Sequence, residues 1–162
     1  MVGRRFIRVP LVPTRLSTGF STLRAVVELL VQTQKGFRPV KFVIDPGAGL
    51  TMLPVRVARQ YRIPIPLQST ELMVNTAAGR VRQRAYASFL GIRVPGLPGR
   101  NFQWPCHFVE GPAGSTQAGL AKNLLGLSGV VQDFRIIFDG TYSQESPHGW
   151  AILEELPASR RP

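Results

Sequence analysis

The chain has 162 residues, 44% of them hydrophobic, and a formal net charge of +11 at pH 7 from 20 basic and 9 acidic residues. This length favours one domain with a sizeable core, and no apolar run approaches the ~20 residues of a membrane-spanning helix, so we expect no membrane partner. The single cysteine excludes a disulfide within one chain and predicts a cytoplasmic location. A metal site needs three or four ligands, and the chain has only two histidines and one cysteine, so we expect no metal site and no cofactor.

The whole chain contains 16 glycines and 14 prolines, which favour many short strands joined by tight turns. Residues 4–12 alternate loosely and predict a strand or extended arm that ends at Pro13. Residues 22–33 are apolar and rich in β-branched side chains, and the turn Lys35-Gly36 separates them from residues 39–44. This pattern predicts a β-hairpin.

The second strand of that hairpin runs directly into Asp45, one of three aspartates in the chain. A carboxylate at the end of an apolar strand and inside a Gly-rich turn is costly unless something pairs with it or uses it. Asp45 is therefore the first candidate for chemistry. Taken alone, Asp45-Pro46-Gly47 also predicts a simpler role, an Asx turn in which the aspartate caps its own loop. Pro54 then suits the first position of a short helix.

The second part of the chain predicts further strands. Residues 71–84 predict a hairpin, followed by strands at 85–94 and 102–109 and a terminal strand and turn at 135–140. An apolar pair and a glycine precede the terminal strand, in Leu124-Leu125-Gly126. The tip of the hairpin consists of small residues, namely Thr76, Ala77, Ala78 and Gly79.

The Asp45 loop, the hairpin and Leu124-Leu125-Gly126 resemble, in order and spacing, the retropepsin-like aspartic proteases over residues 22 to 142. The resemblance implies an all-β fold, a closed β-barrel of the acid-protease type with a flap hairpin and one or two short helices, assembled as a homodimer. It also implies that the chain is divided into three parts, namely an N-terminal strand or arm (1–21), the protease domain (22–142) and a C-terminal strand or tail (143–162).

The resemblance implies that the protein is an aspartic endopeptidase that hydrolyses peptide or protein substrates. Asp45 would be the catalytic residue and would activate a water. Because no second half repeats the Asp45 segment, two copies of Asp45 must meet across a twofold axis. The family pattern also assigns supporting roles. Pro46, Gly47, Ala48 and Gly49 would form the active-site loop, Thr76 to Gly79 the substrate-binding flap tip, and Leu124, Leu125 and Gly126 the support behind the loop.

Pro46 departs from the family, which has Thr or Ser at this position. That hydroxyl braces the two loops across the dimer axis, whereas proline offers neither a hydroxyl nor an N–H donor but fixes φ near −65°. Gly49 and Leu127 occupy the positions where viral members of the family often have an Asp and the Arg that pairs with it. Both charges are replaced together, so neither is left without a partner. Pro46 motivates an alternative function, a catalytically silent domain that binds peptides or dimerises.

A third function rests on net charge alone, a basic β-module that binds nucleic acid. The arginines are scattered, and the densest set, Arg80, Arg82 and Arg84, points to one side of a strand, where we expect solvent. Interleaved aromatic residues are missing, so nucleic acid is the least favoured partner. Cys106 and His107 are neighbours that point to opposite faces of a strand, which predicts structural roles for both.

Overall fold

The computed structural model describes residues 5–15, 18–76, 79–110 and 123–157, and only the backbone of residues 74–76. The described part is mostly β, in agreement with the predicted fold class. None of its helices is long and apolar enough to cross a membrane. Its elements, in chain order, are β1 (Phe6–Arg15), β2 (Ser21–Thr33), β3 (Gly36–Ile44), β4 (Thr51–Pro54), α1 (Val55–Tyr61), β5 (Thr70–Thr76), β6 (Gly79–Arg93), β7 (Phe102–Val109), β8 (Leu124–Leu125), α2 (Val130–Asp133), β9 (Phe134–Asp139) and β10 (Trp150–Glu155).

These strands form one sheet in the order β5-β6-β7-β4-β8-β3-β2-β1-β10-β9. Strand β2 also pairs with β6, Leu30 opposite Arg93 and Val31 opposite Ile92, so the sheet folds back on itself. Alternate side chains of the strands point inward and exclude water from one core. The largest fully buried members of this core are Trp104, Phe42, Phe108, Phe134, Leu29 and Leu53.

The predicted hairpin of β2 and β3 is present, with Thr33 opposite Gly36. Gly36 has a φ of +87°, a conformation that glycine adopts without steric cost. The Thr33 hydroxyl donates to the Gly36 carbonyl at 2.7 Å. The helix predicted at Pro54 also forms, with Pro54 as its N-cap and with Val55 and Ala58 buried.

Two predicted boundaries are wrong. Strand β1 does not end at Pro13 but continues to Arg15, with Pro13 opposite Leu23 of β2. The pairing of β1 with β10 covers only Phe6 to Pro10, so Pro13 lies where β1 is paired on one side, a position in which proline is found in strands. Residues 85–94 do not form a separate strand. They continue the second strand of the hairpin, which runs unbroken from Gly79 to Arg93 as β6.

Strand β8 has only two residues and lies between β3 and β4. It runs parallel to β3, with Leu124 opposite Val43, and antiparallel to β4, with Leu124 opposite Met52. Gly126 follows and lies against the backbone of Leu50, where an added Cβ would collide with the Leu50 carbonyl and come within 2.8 Å of its nitrogen. Only glycine fits this position without moving the main chain.

We expect Gly126→Ala to lower the free energy of unfolding by about 2 kcal/mol or more, since the obstructing atoms are backbone and cannot rotate away. The measurement is urea unfolding followed by tryptophan fluorescence. Gly140→Ala is the matched control, because no atom lies within 4 Å of the added Cβ and the φ of Gly140 is not positive. Equal unfolding midpoints for the two variants would contradict the close packing of Gly126.

Candidate active site

Asp45 lies at the carboxyl end of β3 and is partly exposed. Its N–H donates to the Leu125 carbonyl at 3.0 Å, so the pairing of β3 with β8 continues up to the aspartate. One residue earlier in the ladder, Ile44 pairs with Leu125 and is buried. The apolar strand therefore fixes the main chain of Asp45 while the carboxylate stands at the surface.

A tight turn follows Asp45. The Ala48 N–H donates to the Asp45 carbonyl at 3.1 Å, with Pro46 and Gly47 between them. Proline suits the second position of such a turn because its φ is already fixed. Pro46 is exposed to solvent, so its ring is not part of the core.

The Asp45 side chain bonds to its own loop. The Gly47 N–H donates to Asp45 Oδ1 at 2.9 Å, so the Asx turn that the sequence allows is present. A Cβ on Gly47 would lie only 3.2 Å from Oδ1, which explains why glycine suits this position. Among the described residues Oδ2 has no hydrogen-bond partner. The turn thus orients the carboxylate and leaves one oxygen available.

The segment after β8 holds the rest of the loop through main-chain bonds. The Leu127 N–H donates to the Ala48 carbonyl at 3.0 Å, and the Ser128 N–H donates to the Gly49 carbonyl at 2.9 Å. The structure thus places Leu124-Leu125-Gly126 directly beside the Asp45 loop. The loop is held at its first residue by Leu125 and at its far end by these two bonds.

Thr51 is a supporting residue that the sequence analysis missed. It is buried, and its hydroxyl accepts a hydrogen bond from the Gly126 N–H at 3.1 Å. The sequence contains a signal for this role, because a hydroxyl that lies between Leu50 and Met52 in an apolar strand is expected to be buried and then needs a hydrogen-bond partner. Which group that partner is cannot be read from the sequence, because Gly126 lies far from Thr51 along the chain.

The hairpin of β5 and β6 pairs up to Thr76 opposite Gly79. Ala77 and Ala78 lie outside the described residues, and of Thr76 only the backbone is described. Gly79 has a φ of +114° beside the tip. The arginines at 80, 82 and 84 are exposed as predicted, and Arg82 lies 3.3 Å from Glu71.

The carboxylates of the other two aspartates, Asp133 and Asp139, accept hydrogen bonds within the fold. Asp133 accepts a hydrogen bond from Trp104 Nε1 at 3.0 Å. Asp139 accepts one from the Thr141 N–H at 2.9 Å, and hydrogen bonding by the side chain and the backbone of Thr141 lowers the pKa of the Asp139 carboxyl. Asp45 is therefore the aspartate whose position matches the candidate chemistry.

Cys106 and His107 lie on opposite faces of β7, as predicted. Burial raises the pKa of the Cys106 thiol, which keeps it protonated, and burial lowers the pKa of His107. Within the described ranges, no cluster of three or more His, Cys, Asp or Glu side chains is arranged to hold a metal ion.

An apolar cavity of about 520 Å³ opens beside Pro46. We call it the Pro46 groove. Arg135 is the one charged residue of its lining. The other lining residues are apolar and come from the Asp45 loop, the segment after β8, α2, β9 and the residue after β10, namely Pro46, Leu127, Val131, Phe134, Ile136, Phe138 and Leu156. The groove starts at the residue after Asp45, so the candidate carboxylate has an extended apolar surface next to it.

Comparison with known proteins agrees with this geometry. The profile of a family described as aspartyl protease matches residues 31–128, which include the Asp45 loop, the hairpin and Gly126. A solved structure of a retropepsin-like aspartic protease from Rickettsia conorii is similar, with 18% identity, a TM-score of 0.51, and coverage of 95% of this chain and 99% of that chain. No curated protein sequence matches. The chain thus belongs to the aspartyl protease family and has a retropepsin-like fold.

Proposed function

We propose that the protein is a homodimeric aspartic endopeptidase in which Asp45 of each subunit and an activated water hydrolyse peptide bonds. The observation that carries this proposal is the placement of Asp45. Its main chain is fixed by Leu125, its Oδ1 is held by the Gly47 N–H, and its other oxygen has no partner in the described part of the chain.

The chemistry needs two carboxylates that share one proton. The ionised carboxylate acts as base on a water, and the protonated one donates a hydrogen bond to the scissile carbonyl. Asp133 and Asp139 are engaged by Trp104 and Thr141, so neither is placed to supply the second carboxylate. The second carboxylate is therefore Asp45 of another copy, and the cleft lies between two subunits.

The hairpin tip, Thr76 to Gly79, covers the substrate in this proposal, and the strands behind it form a closed barrel. The pairing of β2 with β6 supports the closure. The substrate is a peptide or an unstructured protein segment, because a cleft between two loops admits an extended chain. The lone cysteine still predicts a cytoplasmic location.

The alternative is a catalytically silent domain that binds peptides or dimerises, and Pro46 is the observation that favours it. Without a hydroxyl at this position, the two loops lack the brace that the family uses. A nucleic-acid-binding module remains the third candidate on net charge alone.

We expect the protein to hydrolyse casein and Asp45→Asn to reduce the rate at least about 10³-fold, because neither the base nor the shared proton remains. The measurement is release of acid-soluble peptides. Glu145→Gln is the matched control, since within the described part of the chain this exposed carboxylate pairs only with Arg8 at the surface. Undiminished cleavage by Asp45→Asn would end the protease assignment, and inactivity of the wild-type chain would favour the silent domain.

Because each subunit supplies one aspartate, specific activity should fall on dilution below the dimer dissociation constant. A ninefold excess of Asp45→Asn chains should also lower wild-type activity about tenfold after exchange, since most wild-type chains then have an inactive partner. An excess of Glu145→Gln chains should instead add activity. Activity per molecule that stays constant on dilution, with only monomer in sedimentation, would contradict the two-chain site.

Pro46→Thr should restore hydrogen bonds across the axis, each with a net contribution of about 1 kcal/mol, and so lower the dimer dissociation constant about tenfold or more. Pro46→Ala is the control that removes the ring without adding a hydroxyl. Both constants can be measured by sedimentation equilibrium. If both variants weaken the dimer, the rigid ring itself is what this chain uses to place Asp45.

A further inference from the structure

The fold gathers basic residues that are scattered along the sequence. Residues 29–70 contain six lysines and arginines but only one acid, Asp45. Asp45 follows the carboxyl end of β3, whereas the β2–β3 turn lies at the amino end of this nine-residue strand, about 30 Å away. The region around the turn therefore has a surplus of positive charge.

A main-chain hydrogen bond joins this turn to the end of α1. The Gln34 N–H donates to the Arg62 carbonyl at 3.1 Å, and the Arg62 N–H donates to the Arg59 carbonyl, also at 3.1 Å. Inside the turn, the Lys35 N–H donates to the Thr33 hydroxyl at 3.1 Å. These bonds fix the end of α1 against the turn, so the last arginines of α1 lie beside Lys35.

Four basic side chains surround this contact. Arg59 and Arg62 are three residues apart, a spacing that places side chains on the same side of a helix. Arg38 follows Gly36 by two residues in β3, about 7 Å along the strand. All four side chains are exposed, and we call them the basic surface, namely Lys35, Arg38, Arg59 and Arg62.

No carboxylate neutralises the basic surface. All nine acidic residues of the chain lie in its described part, and none of them forms an ion pair with these four side chains. Other arginines of the described part do have such partners, namely Arg8, Arg82, Arg100 and Arg135. The four charges are therefore available to a partner that carries negative charge.

The residue types of the basic surface favour phosphate groups. Three of the four residues are arginines, whose planar guanidinium binds phosphate oxygens through two parallel N–H bonds. The exposed neighbours Gln34 and Gln60 are polar and offer hydrogen bonds instead of apolar contact. The backbone of a nucleic acid presents one phosphate per nucleotide and binds through charge without apolar contact.

A lipid surface fits less well. Lasting attachment to a membrane surface needs buried apolar groups as well as charge. Between residues 29 and 70, all of which the structure describes, Leu67 is the one large apolar residue that is exposed, and it lies five residues beyond Arg62. One leucine is a small apolar surface, so charge dominates in this region.

We propose that the basic surface binds the phosphate backbone of nucleic acid without reading its sequence. This activity goes beyond the proposed proteolysis and uses no residue of the Asp45 loop. Binding to phosphates releases condensed counterions. The logarithm of the binding constant therefore falls linearly with the logarithm of the salt concentration, with a slope of about −0.9 for each phosphate contact on a DNA duplex. The slope thus counts the contacts.

A double substitution tests the proposal. The probe is a labelled DNA duplex of about 20 base pairs, and fluorescence anisotropy measures its binding at several salt concentrations. In Arg59→Gln/Arg62→Gln chains we expect the dissociation constant at low salt to rise at least about tenfold and the slope to become shallower by about 1.8. Lys35→Gln/Arg38→Gln should give the same result. Asp45→Asn chains should bind as the wild type does, so duplex binding and casein cleavage can fail separately.

Arg5→Gln/Arg15→Gln is the matched control, because it removes the same net charge from two exposed arginines. Arg5 lies beside Glu155 of β10, and Arg15 lies opposite Ser21 at the other end of β2. We expect less than about a twofold change in the dissociation constant and an unchanged slope. Circular dichroism reports whether each variant is folded. Equal losses in the control and in both test variants, or no binding of the duplex by the wild-type chain, would overturn the proposal.

Three further probes separate the kinds of partner. A single-stranded RNA of the same length presents the same phosphates and shows which nucleic acid binds more tightly. Phosphatidylserine vesicles and polyglutamate present negative charge on a lipid surface and on a peptide. Leu67→Ser should leave duplex binding unchanged. Tighter binding to the vesicles, lost in Leu67→Ser chains, would overturn the proposal in favour of a lipid surface. Stronger competition by polyglutamate than by unlabelled duplex would overturn it in favour of an acidic protein.

Discussion

The close approach of Gly126 to the Leu50 backbone is the constraint on which the candidate site depends. Strand β8 is too short to hold its place by pairing alone, since two residues offer few ladder bonds. Contact between two main chains removes water from their peptide groups, and each of those groups then needs a partner inside the protein. The Thr51 hydroxyl, the Ala48 carbonyl and the Gly49 carbonyl are those partners.

This contact between main chains determines how the loop around Asp45 is stabilised. Glycine at position 49 and leucine at position 127 offer no charged pair, and Pro46 offers no hydroxyl. Here the ring of Pro46 restricts the turn covalently. The N–H groups of Leu127 and Ser128 hold the loop by donating to the carbonyls of Ala48 and Gly49. Neutral main-chain bonds of this kind are less sensitive to salt than an exposed ion pair, so the loop geometry depends little on ionic strength.

The sequence predicts those parts of the fold whose signals are local. The β2–β3 hairpin has a β-branched run and a glycine turn, and α1 begins at a proline, so both are found from neighbouring residues. The turn at Asp45 is likewise encoded by Pro46 and Gly47.

The remaining features depend on contacts between distant segments, which a single sequence does not display. Strand β8 is too short for any periodicity, and α2 has only four residues. The partner of the Thr51 hydroxyl is supplied by Gly126, far along the chain. Strand β10 follows a stretch of mixed polar and apolar residues, and only its pairing with β1 and β9 shows its place in the sheet.

The pairing of β1 with β10 has a consequence for the synthesis of the protein. Phe6 to Pro10 pair with Trp150 to Glu154, so this half of β1 leaves the ribosome long before its partner β10 has been synthesised. Contacts this distant in sequence slow folding, because a long loop must close before they form. During translation this half of β1 is an unpaired edge, and the nascent chain is exposed to association with others until β10 emerges. Sequestration of that edge by a chaperone would benefit this chain more than one whose sheet closes early.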